Sequence, residues 1–108
     1  MANLVKLFHR TGSLNAKKII TFGFQDGEGT YLTEQCWHGV WLSDSILSED
    51  EGAGGDAVIE VILALDPETL ENYEWIEEGK PYREWLIPAE IVNRQGTVRL
   101  MPQFEWDA

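Results

Sequence analysis

Three residues of this chain are chemically more capable than the strand-like stretches around them require. They are His9 in Leu4–Thr11 (LVKLFHRT), Trp41 in Gly39–Asp44 (GVWLSD) and Glu84 in Tyr82–Pro88 (YREWLIP). An imidazole donates or accepts hydrogen bonds near neutral pH, an indole stacks on flat rings, and a carboxylate stabilises positive charge developing beside it. Thr11 and Ser43 add hydroxyls close by on the same stretches. Each residue also has an ordinary use. A strand-end histidine can be a satisfied core residue, a strand tryptophan a core filler, and Glu84 a salt-bridge partner of Arg83 or Lys80.

The elements that must position these side chains are short. Alternation along Leu4–His9 sets Val5, Leu7 and His9 on one strand face and Leu4, Lys6 and Phe8 on the other. Thr11–Thr21 reads as a helix, with Ser13 as N-cap and Ala16, Ile19 and Ile20 inward, while Lys17 and Lys18 face water. Gly23 suits a left-handed stop onto which Phe24 folds back. Gln25–Gly29 reads as a turn, Thr30–Thr33 as a short strand or loop. His38–Ser43 reads as a strand with Val40 and Leu42 on one face and Gly39, Trp41 and Ser43 on the other. A glycine-rich acidic loop over Asp44–Asp56 follows. Ala57–Leu65 is the strongest strand, apolar on both faces apart from Glu60 and therefore central. Asp66-Pro67-Glu68 opens a short helix that ends before Gly79, since Asp66 caps and Pro67 presets φ where no donor is needed. Tyr82–Pro88 and Thr97–Met101 complete the strands, with Asn93–Gly96 a turn between them.

Composition bounds what such a site can serve. A chain of 108 residues holds one domain, 1–108, and 44% hydrophobic content suffices to fold it. A formal charge of −11 repels a phosphate backbone, which argues against general nucleic-acid binding and leaves room for a basic protein partner or a small substrate. The lone cysteine, Cys36, forms no intramolecular disulfide and fits a reducing, cytoplasmic setting. Nothing near the start reads as a signal peptide, and no apolar run reaches spanning length. Two histidines and no paired cysteines give no reason to expect a metal.

The ordered set of motifs resembles a known family. LFHRT at Leu7–Thr11, followed by Asn15, Ile19, Ile20 and Gly23-Phe24, resembles the opening of the diphtheria-toxin-like ADP-ribosyltransferases. GVWLS at Gly39–Ser43 is similar to that group's Gly-Val-Tyr-Leu-Ser strand, and REWLI at Arg83–Ile87 to its late glutamate strand. The resemblance implies an α+β fold, two small and mostly antiparallel sheets forming a split-sheet core with one or two short helices. It implies NAD as substrate, with His9 on the adenosine-side ribose, Thr11 at the amide end, and Trp41 stacked on nicotinamide. It further implies Ser43 near the ribose and Glu84 as the catalytic carboxylate. The chain departs from the pattern at Arg10, where the family has glycine, and at Trp41, where it has tyrosine. Two functions follow as expectations. One is an NAD-dependent transfer of ADP-ribose to an acceptor. The alternative is a non-catalytic acidic module on the same scaffold, engaging a basic protein through Glu49–Glu51.

Overall fold

The computed structural model describes residues 3–25, 27–30, 36–47 and 55–106, with side chains from 39 onward after the first segment. Strand β1 (Leu4–Thr11) leads into helix α1 (Ser13–Phe22), and β2 (Gly27–Thr30) and β3 (Cys36–Ser43) follow. Beyond the acidic loop come β4 (Ala57–Ala64), α2 (Pro67–Glu71), β5 (Glu74–Trp75), β6 (Glu84–Ile87), α3 (Ala89–Gln95), β7 (Gly96–Leu100) and α4 (Gln103–Trp106). All pairings are antiparallel, in the order β5-β6-β3-β1-β4-β7, with β2 added on β3.

The α+β, antiparallel character matches the expectation, while the strands form one continuous ladder and the helices number four among the described residues. The ladder is uneven. β1 pairs with β4 along its whole length, from Leu4↔Ala64 to Thr11↔Ala57, but its register with β3 is the single pair Phe8↔Ser43. β3 also changes partner midway: Cys36–Gly39 pairs with β2 and Val40–Ser43 with β6.

One face of the sheet carries the core. Leu7, Ile59, Val61, Leu63 and Ile87 are fully buried there, each burial stabilising by about 1.5–3 kcal/mol. Helices α1 and α3 cover this face, through Ala16 and Ile19 and through Ala89 and Val92. β4 is buried along one face throughout, at Ala57, Ile59, Val61 and Leu63, while its other face is half-buried apart from the buried Val58.

Several local expectations are revised. Ser13 is the first helical residue, and Gly12 holds the N-cap position without a side-chain bond. The cap comes instead from Asp56 at the far end of the acidic loop, whose carboxylate accepts from the Ser13 N–H at 2.8 Å and the Ser13 hydroxyl at 3.2 Å. Ile20, expected inward, is 41% exposed, because Ala16 and Ile19 alone meet the sheet. Strand β2 (Gly27–Thr30) begins inside the polar Gln25–Gly29 stretch expected as a turn, since pairing with β3 overrides weak strand propensity. Asn93–Gly96 is not a turn: α3 runs to Gln95 and β7 starts at Gly96. Pro88 as N-cap, Glu90 in the first turn and Arg94 in the last are the helix signals there. Asp66 caps α2 as expected, accepting the Thr69 N–H at 2.9 Å. Glu49–Glu51 lies outside the described residues.

Candidate ligand site

The β1–β3 seam is where the candidate residues meet. Past Phe8↔Ser43 the ladder is not continued, and the His9 side chain takes over its role: Nδ1 lies 2.8 Å from the Trp41 carbonyl oxygen. A carbonyl only accepts, so Nδ1 carries the proton and Nε2 of the neutral ring presents a lone pair. The opening beside this contact is a cavity of about 370 Å³, at the lower end of the range for small-molecule sites.

Four parts of the chain build its wall. β1 supplies His9, and β3 supplies Gly39, Val40 and Trp41. α1 supplies Asn15, Lys18, Ile19 and Phe22, spaced as one helix face. The segment after α1 supplies Gly23, Phe24 and Gln25. The backbone N–H of Gly23 closes the helix on the Ile19 carbonyl at 2.8 Å. Phe24 is then locked by Asn93 of α3, whose amide accepts from the Phe24 N–H at 2.8 Å and donates to its carbonyl at 2.9 Å. The Phe24 ring, 5% exposed, meets the His9 ring edge-on at 5.2 Å. The floor of the cavity is thus fixed from both neighbouring elements.

The other site candidates fall elsewhere. Thr11 Oγ1 accepts from Asn15 Nδ2 at 2.8 Å and so ties the strand end to the first turn of α1. Ser43 is 5% exposed and donates its hydroxyl proton to the Ser45 carbonyl at 2.6 Å, which gives it a backbone-fixing role. Glu84 does not line the cavity. Register sets Ser43 opposite Glu84 and Trp41 opposite Leu86, so these four share a face. Phe8 shares that face through Ser43, which turns its neighbour His9 to the helix-covered side. Trp41 therefore links the two regions: it lines the cavity and stands on the Glu84 side, with its ring edge-on to Trp75 at 5.5 Å. Strand β3 lies between β1 and β6, so His9 and Glu84 stand two strands apart.

Arg10 stands where the resembled pattern has glycine. Its guanidinium leaves the cavity, donating from Nε to the Gly55 carbonyl and from Nη1 to the Leu47 carbonyl, both at 2.8 Å, and stacking over Trp106 at 5.1 Å. It clamps both described ends of the acidic loop to β1. Glu84 is held by Lys80, whose Nζ lies 3.0 Å from Oε2 and 3.3 Å from Glu77. Burial disfavours the Lys80 ammonium, but hydrogen bonds to Glu84, Tyr82 and Glu77 outweigh it and hold its pKa above the usual lysine range. The salt-bridge use of Glu84 is therefore realised with Lys80, while Arg83 pairs with Glu74 at 2.6 Å.

The helix face formed by Asn15, Lys18, Ile19 and Phe22 follows a period of three and four, and Lys18 is exposed as expected while also lining the cavity. Asn93 carried no local signal, since its partner is 69 positions away. Among the described residues no group of three His, Cys, Asp or Glu converges as a metal site would require, and no helix is long and apolar enough to cross a membrane.

Burial lowers the His9 pKa below its ordinary 6.5, with the Trp41 carbonyl opposing the shift. The folded state then binds fewer protons than the unfolded chain, so stability is full above 6.5 and falls as pH drops toward the folded-state pKa. The carboxylates of Glu60 and Glu74, held below their usual 4.5 mainly by Arg99 and Arg83, lose their contributions at lower pH. Urea unfolding at pH 7.5 and 5.5 is expected to show the loss, and His9→Gln to flatten the slope between them. An equal slope in both proteins would place the titrating group elsewhere.

Compared with family models, curated proteins and solved structures, the chain matches none.

Proposed function

We propose that this domain binds NAD and transfers ADP-ribose from it to an acceptor, on a scaffold of the ADP-ribosyltransferase type. The observation that carries the reading is the open cavity at the β1–β3 seam, where the His9 ring meets the Trp41 backbone, 32 positions away, beside the helix that follows His9. In this reading the thin β1–β3 seam is the split between two half-sheets, and the cavity takes the adenosine half of the dinucleotide. His9 Nε2 accepts a ribose hydroxyl, as the resemblance assigns to it. Lys18 supplies a local positive charge for the diphosphate, which a chain of charge −11 otherwise repels. The nicotinamide half passes Trp41 toward the Ser43–Glu84 side. There Glu84 faces the ribose cation that forms as the bond to nicotinamide breaks, and the acceptor completes the transfer.

Calorimetric titration with NAD tests the binding step. The domain is expected to bind at submillimolar concentration with quenching of tryptophan fluorescence, and His9→Ala to weaken binding about tenfold, as loss of one hydrogen bond does. Absence of binding at millimolar NAD would remove the proposal.

One observation favours the second reading, a non-catalytic module. Glu84 lies outside the cavity with its carboxylate already paired to Lys80. Such a module binds a basic protein through its acidic surface, and added salt would weaken that binding by screening within about 8 Å.

A further inference from the structure

We propose that Phe22 selects the base of the bound nucleotide, stacking on a purine at the mouth of the cavity. The inference rests on the NAD reading only in taking the ligand to be an adenine nucleotide. Phe22 is the last residue of α1 and 82% exposed, yet it lines the cavity. A singly exposed apolar residue needs no explanation by itself. Phe22 differs in its placement, on the helix face that also presents Asn15, Lys18 and Ile19 to the opening.

The surroundings fit a nucleotide part by part. Phe24 forms a buried floor, locked by Asn93 and by the edge-on His9 ring. Val40 of β3 stands on the same sheet face as His9. A flat base can lie over this apolar surface with Phe22 closing on its outer face, where the two π-systems stack. Lys18, one turn earlier on the same helix face, meets phosphate. The Gln25 amide, beyond the helix end, offers a donor and an acceptor to the base edge. A purine covers more of the Phe22 ring than a pyrimidine does, so stacking favours AMP over UMP. A side chain as exposed as Phe22 contributes little to the core, so its replacement should leave the fold intact.

The test is calorimetry of the whole domain with AMP, UMP, ADP-ribose and nicotinamide mononucleotide, on the unmutated protein, Phe22→Ala and Phe22→Tyr. Phe22→Ala is expected to weaken AMP and ADP-ribose about tenfold, at the lower end of what one base stack contributes, and to erase the preference for AMP over UMP. Phe22→Tyr should restore both, and nicotinamide mononucleotide should bind all three proteins alike. Unchanged AMP affinity in Phe22→Ala overturns the proposal, and so does absence of nucleotide binding by the unmutated domain. Phe22-dependent AMP binding without nicotinamide release from NAD supports this inference and removes the transferase reading. NAD cleavage with an unaltered KM in Phe22→Ala does the reverse.

Discussion

Glu84→Gln is expected to leave NAD affinity within about threefold of the unmutated domain and to slow nicotinamide release by roughly 10²–10³-fold, the loss seen when one group aimed at developing charge is removed. The substitution keeps shape and an acceptor for the Lys80 ammonium 3.0 Å away, so β6 and its register on β3 should persist. What it removes is the negative charge. As the bond between ribose and nicotinamide breaks, its electron pair leaves with the nicotinamide ring and the sugar becomes cationic. A carboxylate beside that sugar interacts more strongly with the transition state than with the ground state, so the effect belongs in kcat rather than KM. Chromatographic assay of released nicotinamide, with calorimetry as the binding control, separates the two. Equal release from both proteins would take Glu84 out of the reaction. Binding without release in either protein would favour the non-catalytic module.

The face on which each candidate sits was readable only within its own strand. Alternation put His9 with Leu7, Trp41 with Ser43 and Glu84 with Leu86, and the buried pattern of β6 agrees with this. How those faces combine depends on register between strands, and the pair Phe8↔Ser43 turns His9 away from the face of Trp41 and Glu84. No local pattern encodes that pairing, because a shift of one residue would invert it. Helix ends were legible where the cap is local, as at Asp66. They were not where the cap is distant: Asp56 serves α1 from 43 residues away. The helix α3 was missed although Pro88, Glu90 and Arg94 announce it, because Asn93 and Gly96 read as turn residues. The structure uses Asn93 instead to hold Phe24, so a turn-like residue became a wall support of the cavity.

Gly55→Ala is expected to destabilise the domain by about 2–5 kcal/mol, combining the strain of a left-handed backbone with overpacking against main chain. Gly55 has φ 126°, and a Cβ there would stand 2.2 Å from the Thr11 carbonyl carbon and oxygen and 2.8 Å from the Gly12 nitrogen. These are backbone atoms at the end of β1, and no rotamer change can relieve the contact. Movement of Gly55 in turn breaks the bond its carbonyl accepts from Arg10 Nε and displaces Asp56, the cap of α1. Strand end, helix start and loop are thus secured at one point, and His9 and Asn15 lie within a few residues of it. Loss on this scale is a large part of the roughly 5–15 kcal/mol that holds a domain of this kind together. Gly12→Ala is the matched control, since φ there is −73° and nothing lies within 4 Å of the added methyl. It should cost about 1 kcal/mol or less, the difference between two N-cap residues. Urea unfolding of the two variants, followed by NAD titration of any that remain folded, decides the matter. A Gly55→Ala protein as stable as Gly12→Ala would mean that the loop end does not press on β1.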